Sequence, residues 1–285
     1  AIPNFKPLLS RSELLGMSTQ PEVESRLVLG TNGGQRDWQM LRGPFTKRAI
    51  PKLTEHDWTL LVQGVDLHSD AVAVLMQQFR FVPDARLDDV MISYATDGGG
   101  VGPHFDSYDV FLLQAHGQRR WRIGRQKDLS LVPNLPLRIL ANFEPEHDWV
   151  LNPGDMLYLP PRYAHDGIAI GECMTYSVGF RVPQKGDLAR ELLVRMSEDA
   201  EDTVGGALYQ DAKQPAVDKP SAIPEGLTVF AKDALHKALK DPLALARALG
   251  EYLTEPKANV WFDGAPVPKR LKSVRLDRRS RMMYD

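Results

Sequence analysis

The 285-residue chain is poor in cysteine, in long apolar runs and in net charge, and each shortage narrows what it can be. Its one cysteine, Cys173, cannot close a disulfide within the chain, so no disulfide scaffold supports the fold. That thiol follows Gly171-Glu172 with no C-x-x-C partner and reads as a buried bystander rather than a nucleophile. No apolar stretch approaches the ~20 residues of a membrane helix; the longest are on the scale of residues 71–76, so a transmembrane reading is excluded. The 35 Lys and Arg against 37 Asp and Glu leave a formal charge of −2, which argues against a surface dedicated to polyanions. No charged head, apolar stretch and small-residue cleavage site opens the sequence, and with the lone thiol this points to a cytoplasmic protein. Internal repeats and low-complexity tracts are also missing.

What remains is an ordinary globular composition, 43% hydrophobic and 25% charged, long enough for a substantial core and more than one domain. Over residues 54–79 the positions Leu60, Leu61, Val65, Val72, Leu75, Met76 and Phe79 recur at three- and four-residue intervals and predict helical packing. Beyond them the pattern becomes β-like. Residues 90–94, 110–113, 120–123, 149–151, 156–159 and 175–181 are short runs rich in β-branched and aromatic side chains, separated by Gly and Pro turns. Such punctuation predicts an antiparallel sandwich or barrel. From Gly186 onward, Leu188, Leu192, Leu193 and Met196 predict an amphipathic helix with Asp187 as its cap. Helical periodicity resumes over residues 227–252, and a cationic run from Lys269 to Arg281 closes the chain. The first residue is Ala1 rather than Met and the last residues carry no helix cap or tail, so both ends read as trimmed.

Seven histidines offer the means of metal or acid–base chemistry. The triplet H-x-D occurs twice, and it is short enough to arise by chance. His68-Ser69-Asp70 precedes a helical run, so Ser69 or Asp70 reads as an N-cap. His104-Phe105-Asp106 lies in β-type sequence after a glycine-rich stretch, where residues two apart share a face, so both side chains can aim at one point. His165, which ends Pro160-Pro161-Arg162-Tyr163-Ala164-His165, is the best third ligand. Two His and one carboxylate on a triangular face leave open positions on an octahedral ion, the arrangement of non-haem Fe(II) oxygenases. Arg119 shares strand parity with Trp121 and Ile123, which carries it inward, where a buried guanidinium requires an anion. Ser93 can add a hydroxyl to the same anion, and an exposed strand arginine paired with an acidic neighbour is the equal alternative for Arg119. His56, His116, His147 and His236 read as surface or structural residues, the first and last in helical segments, His116 in a hairpin turn and His147 in an acidic loop. The stretch Gly98-Gly99-Gly100-Val101-Gly102 lacks G-x-G-x-x-G spacing and a following helix, so it is not a phosphate loop.

Taken together, residues 88–93, 98–111, 117–121, 153–165 and 176–181 resemble the bacterial ribosomal oxygenase family, over about residues 20–200. The resemblance implies a double-stranded β-helix of the jelly-roll, cupin or JmjC type with flanking helices over residues 1–185. It further implies a helical dimerisation region over 186–256 and a partial winged-helix domain over 257–285, whose later elements, like an N-terminal Trp- and Pro-containing segment, are missing. The implied activity is Fe(II)- and 2-oxoglutarate-dependent hydroxylation by O2 of an arginine in large-subunit ribosomal protein number sixteen, with succinate and CO2 as co-products. Carried over by position, the iron ligands fall on His104, Asp106 and His165, and the 2-oxoglutarate partners on Arg119 and Ser93. Tyr108, Asp109 and Ser177 lie near the expected mouth as substrate-binding candidates. Two enzymatic alternatives are hydroxylation of a histidine in another ribosomal protein and JmjC-type demethylation. A zinc hydrolase fits less well, because its ligands would not call for an inward arginine. The alternative of another class is a non-catalytic metal-binding cupin module that assembles with ribosomal components. The resemblance also implies a homodimer, and the cationic C-terminus could make a weak RNA contact.

Overall fold

The computed structural model describes residues 1–30, 38–262, 264, 270, 273 and 276–283. It divides into two units, one comprising Ala1–Val182 with Lys257–Arg279, the other Pro183–Pro256 with Ser280–Asp285.

The first unit opens with helix α1 (Arg11–Met17), started by a capping box in which the Ser10 hydroxyl accepts from Glu13 N and Glu13 reaches back to Ser10 N. Strands β1 (Ser25–Leu29), β2 (Gln39–Arg42) and β3 (Trp58–Val62) follow, then helix α2 (Asp70–Gln77). The remaining strands are β4 (Leu87–Ala95), β5 (Val110–Gly124), β6 (His147–Leu151), β7 (Met156–Leu159) and β8 (Ala164–Phe180). All pair antiparallel in the order β2-β1-β3-β4-β8-β5-β6, with β7 also on β5. The predicted antiparallel β core is therefore present.

Several local expectations need correction. The helical periodicity over residues 54–79 conflates two elements, because Leu60 and Leu61 belong to β3, a strand buried at every position, and only residues 70–77 form the helix. A strand apolar on both faces has no alternation to betray it. Ser69 does stand at the N-cap of α2, but its side chain makes no cap hydrogen bond. His56 lies in coil before β3, His116 within β5 and His147 in β6, where its ring stacks on Trp149 at 5.0 Å. The runs at 110–113 and 120–123 are one strand.

That strand carries a phase change. Val110 and Leu112 pack with Trp121, Ile123, Leu157 and Leu159 on the inner face, whereas Leu113 and Ala115 join the larger core with Tyr176, Val178, Ile92 and Tyr94. The inward set is thus even-numbered before residue 116 and odd-numbered after it, because the pairing with β8 slips between Gln114 and Gln118. Gly117 sits in this bulge at φ +60°, and a Cβ there would lie 2.0 Å from Glu172 O. The buried Gln114 carboxamide fixes the bulge by donating to His116 O at 2.8 Å and Gly117 O at 3.3 Å, while accepting from Thr175 Oγ1 at 2.8 Å.

In the second unit α3 (Lys185–Glu198) and α4 (Ala200–Val204) precede α5 (Glu225–Lys240) and α6 (Pro242–Thr254). Gln184, not Asp187, is the N-cap of α3; Asp187 lies in its first turn. The periodicity over 227–252 is split between α5 and α6 at Asp241-Pro242, where Asp241 caps Leu243 N at 2.9 Å. In residues 257–285 no described residue is in a helix or strand; Lys269, Lys272 and Arg275 of the cationic run lie outside the described residues. Arg278 pairs with Asp70, and Arg279 with Asp277, so these two cations are engaged within the chain. Among the described residues no helix is long and apolar enough to cross a membrane.

Tyr176 ties the N-terminal segment to the sheet. Its buried hydroxyl accepts from Leu8 N at 3.0 Å and Leu9 N at 3.2 Å, and its ring meets Phe5 edge-on. Replacing it, Tyr176→Phe, strands two backbone donors and should cost about 1–3 kcal/mol in urea denaturation. Hydrogen exchange should quicken at the amides of Leu8 and Leu9; protection unchanged there would contradict the assignment.

Candidate metal centre and anion pocket

The stretch leading into β5 and the start of β8 meet at His104 and His165, which exchange backbone hydrogen bonds: His104 N donates to His165 O at 2.9 Å and His165 N to His104 O at 2.8 Å. Arg162 N donates to Asp106 O at 2.7 Å, which holds the next turn of chain in register. Each imidazole is fixed by the same local device. Nδ1–H of His104 donates to Gly102 O at 2.9 Å and Nδ1–H of His165 to Tyr163 O at 3.0 Å, in both cases the carbonyl two residues before. That tautomer leaves each Nε2 lone pair free to bind. The ring centroids are 4.2 Å apart, Asp106 Oδ2 lies 3.7 Å from His165 Nε2, and one ligand atom from each of the three lies within 4.8 Å of the others. Burial and the neighbouring His104 push the His165 pKa down to about 3, so its imidazole is neutral and available as a ligand. Two imidazoles, each oriented by its backbone hydrogen bond, and a carboxylate converging on one point fit a divalent transition-metal ion. The three residues nominated from the sequence come together as one cluster.

Along the same inner face runs Trp121, whose ring is 5.9 Å from that of His165, and then Arg119, whose guanidinium carbon is 5.8 Å from the Trp121 ring. Arg119 is only 4% exposed, which removes the exposed-arginine alternative. Its Nε has no hydrogen-bond partner among the described residues, and its Nη2 reaches only the Cys173 sulfur, at 3.5 Å. A buried guanidinium so poorly paired is a site for an anion. Ser93 is buried on β4, opposite Thr175 of β8, to whose carbonyl its hydroxyl donates at 3.4 Å. Gly167 faces Trp121; a Cβ there would come within 2.6 Å of the indole, so only glycine lets the ring lie flat against β8. Trp121 and Gly167 were not singled out in the sequence, although the inward parity that found Arg119 passes through Trp121.

The mouth candidates differ among themselves. Ser177 is buried on β8. Tyr108 is partly exposed, and burial of its hydroxyl beside the Asp106 carboxylate raises its pKa. Asp109 is already occupied, accepting from Tyr158 Oη at 2.7 Å and from Arg86 Nη2 at 3.0 Å.

An antiparallel sheet with a facial His-Asp-His cluster on its inner face defines a JmjC/cupin-type protein, and residues 74–188 match the JmjC domain model. The chain is 37% identical over 257 residues to the ribosomal protein uL16 3-hydroxylase of Escherichia coli K12, covering 89% of this chain and 66% of that protein. It is 37% identical over 190 residues to a probable ribosomal oxygenase of Haemophilus influenzae, covering 66% of this chain and 46% of that one. The crystal structure of E. coli ycfD superposes with a TM-score of 0.77 at 35% identity, over 95% of this chain and 70% of that chain. The E. coli ribosomal oxygenase YcfD in complex with cobalt and 2-oxoglutarate superposes at 0.74 and 35% identity, over 95% of this chain and 69% of that one. The chain belongs to the JmjC-domain ribosomal oxygenase family, and it spans 66% and 46% of the lengths of the two curated relatives.

Removing the carboxylate, Asp106→Ala, should weaken Mn(II) or Co(II) binding at least about 100-fold, beyond what loss of an outer-shell partner causes. The Asp106 side chain is 25% exposed, so the fold should survive. Calorimetric titration checks this; undiminished affinity would place the ion elsewhere.

Proposed function

We propose that the chain is an Fe(II)- and 2-oxoglutarate-dependent oxygenase that hydroxylates an arginine side chain of the large-subunit ribosomal protein uL16. The observation that carries this reading is the poorly paired, buried Arg119 on the same inner face as the three-ligand cluster, with Trp121 between them. An anion with a second, metal-seeking end would bridge the two, as a 2-oxo dicarboxylate does. The family relationship supports the choice, since YcfD has been crystallised with cobalt and 2-oxoglutarate and with cobalt and succinic acid.

His104, Asp106 and His165 would hold Fe(II), which when bound supplies the activation of O2 that couples co-substrate decarboxylation to hydroxylation. The chain's own residues set the conditions. Arg119 would pair with the far carboxylate of the co-substrate, and Ser93 would donate its hydroxyl to it on giving up the Thr175 carbonyl. The Trp121 indole lies 5.9 Å from the His165 ring and 5.8 Å from the Arg119 guanidinium carbon, and its buried Nε1–H is unpartnered among the described residues. Val110, Leu112, Leu157 and Leu159 make the surroundings apolar and limit water. Tyr108, Asp109 and Ser177 would contact the incoming side chain, Asp109 only by giving up Tyr158 or Arg86.

The reading extends to a cytoplasmic homodimer joined through the helical region of residues 186–256. Its support is the leucine-rich exposure of α5 and α6, where Leu235 is 64% and Leu243 72% exposed. Leu235→Glu with Leu243→Glu should then convert a dimer to a monomer in light scattering; a monomeric unsubstituted protein would remove this part. The region 257–285 would be the start of a winged-helix domain. A weak RNA contact would fall to the cationic run from Lys269 to Arg281.

The substrate is tested by incubating Fe(II)-loaded protein with 2-oxoglutarate and ribosomal proteins, with His104→Ala as control. The expected result is a gain of one oxygen atom on an arginine of uL16, absent with the variant. Modification of a histidine elsewhere, or loss of a methyl group from lysine, would replace the substrate. Neither modification nor succinate would leave a non-catalytic metal-binding module.

A further inference from the structure

The only cysteine of the chain touches Arg119, the buried arginine of the inner face. Cys173 is fully buried on β8, opposite Ala95 of β4, and clusters with Ala95 and Ala169. Ala169 is in turn the β8 partner of Arg119. The thiol that meets the guanidinium is thus flanked by two small side chains. Among the described residues the Cys173 sulfur, 3.5 Å from Nη2, is the one hydrogen-bond acceptor that Arg119 has.

The choice of acceptor matters because sulfur accepts weakly. A carboxylate at this place would form a buried bidentate pair with Arg119 and compete with any incoming anion. A purely apolar residue would leave Nη2 without orientation, free to turn away from the interior. A thiol lies between these extremes. It gives direction to the guanidinium yet leaves its charge available.

We infer that Cys173 is a positioning residue for the co-substrate: its sulfur holds Arg119 turned into the pocket without neutralising it, and with Ala95 and Ala169 it sets the depth at which the far carboxylate sits. This rests on the 2-oxoglutarate reading given above. The thiol undergoes no chemistry in this role, which separates it from a nucleophile or a redox centre.

The test uses the Mn(II)-loaded chain of residues 1–285 titrated calorimetrically with 2-oxoglutarate, for the unsubstituted protein and for Cys173→Ala, Cys173→Ser and Cys173→Asp. Loss of one hydrogen bond to a charged group should weaken 2-oxoglutarate binding about 10-fold in Cys173→Ala. Mn(II) affinity should be unchanged, and in turnover the KM for 2-oxoglutarate should rise by the same factor with kcat nearly constant. The serine variant, whose hydroxyl accepts from Arg119, should recover most of the affinity, and the aspartate variant should bind no 2-oxoglutarate while still binding Mn(II). Should the alanine variant not fold, the contrast between serine and aspartate decides alone. Equal 2-oxoglutarate affinity in the alanine and unsubstituted proteins would overturn the inference. So would equal affinities in the serine and aspartate variants, or a loss of Mn(II) binding in step with that of the co-substrate. Failure of the unsubstituted Mn(II) protein to bind 2-oxoglutarate would instead overturn the co-substrate reading itself.

Discussion

The site depends on the reciprocal backbone hydrogen bonds between His104 and His165. They join two stretches of chain 61 positions apart and put both imidazoles on one side of the junction. Each ring is then oriented by the carbonyl two residues before it, so that one local geometry is used twice. With the rings fixed, Asp106 needs only the same-face spacing of an extended chain to complete the cluster. Little side-chain entropy is left to lose when an ion binds, since both histidines are already held in their binding tautomer.

The polar interior around Arg119 follows from a second constraint, the bulge in β5. Without the register slip, the parity that turns Leu112 and Gln114 inward would turn Arg120 and Arg122 inward as well. With it, Arg119, Trp121 and Ile123 face the interior, while Arg120 and Arg122 pair with Asp148 and Asp166. Gln114 is the part of this device that lies within the core. Its carboxamide donates to the His116 and Gly117 carbonyls at the irregularity. The phase of one strand thus decides which arginine faces the interior.

Much of the centre was legible because its signals are local. His104 and Asp106 were readable from spacing, His165 from a turn, strand and proline corner, and Arg119 from alternation within residues 119–123. Parts of β4 to β8 were found for the same reason, although the first half of β8, residues 164–174, was not. Elements whose signal is non-local were not. Strand β3 is apolar on both faces and imitated a helix, β1 and β2 offered no distinct pattern, and the union of two runs into β5 depends on a bulge visible only in pairing. Cys173, read as a buried or bystander thiol, is buried, but its contact with Arg119, 54 positions away, leaves no mark in the sequence, because only the pairing of β8 with β5 makes it.

The central claim is that the metal cluster and Arg119 serve a single bound molecule. The most direct measurement is the visible absorption of the Co(II)-loaded protein during titration with 2-oxoglutarate, for the unsubstituted chain and for Arg119→Ala. A saturable change of the cobalt bands in the unsubstituted protein, displaced to much higher concentration in the variant, is the predicted result. A cobalt spectrum indifferent to 2-oxoglutarate, or one that responds identically in both proteins, would contradict it.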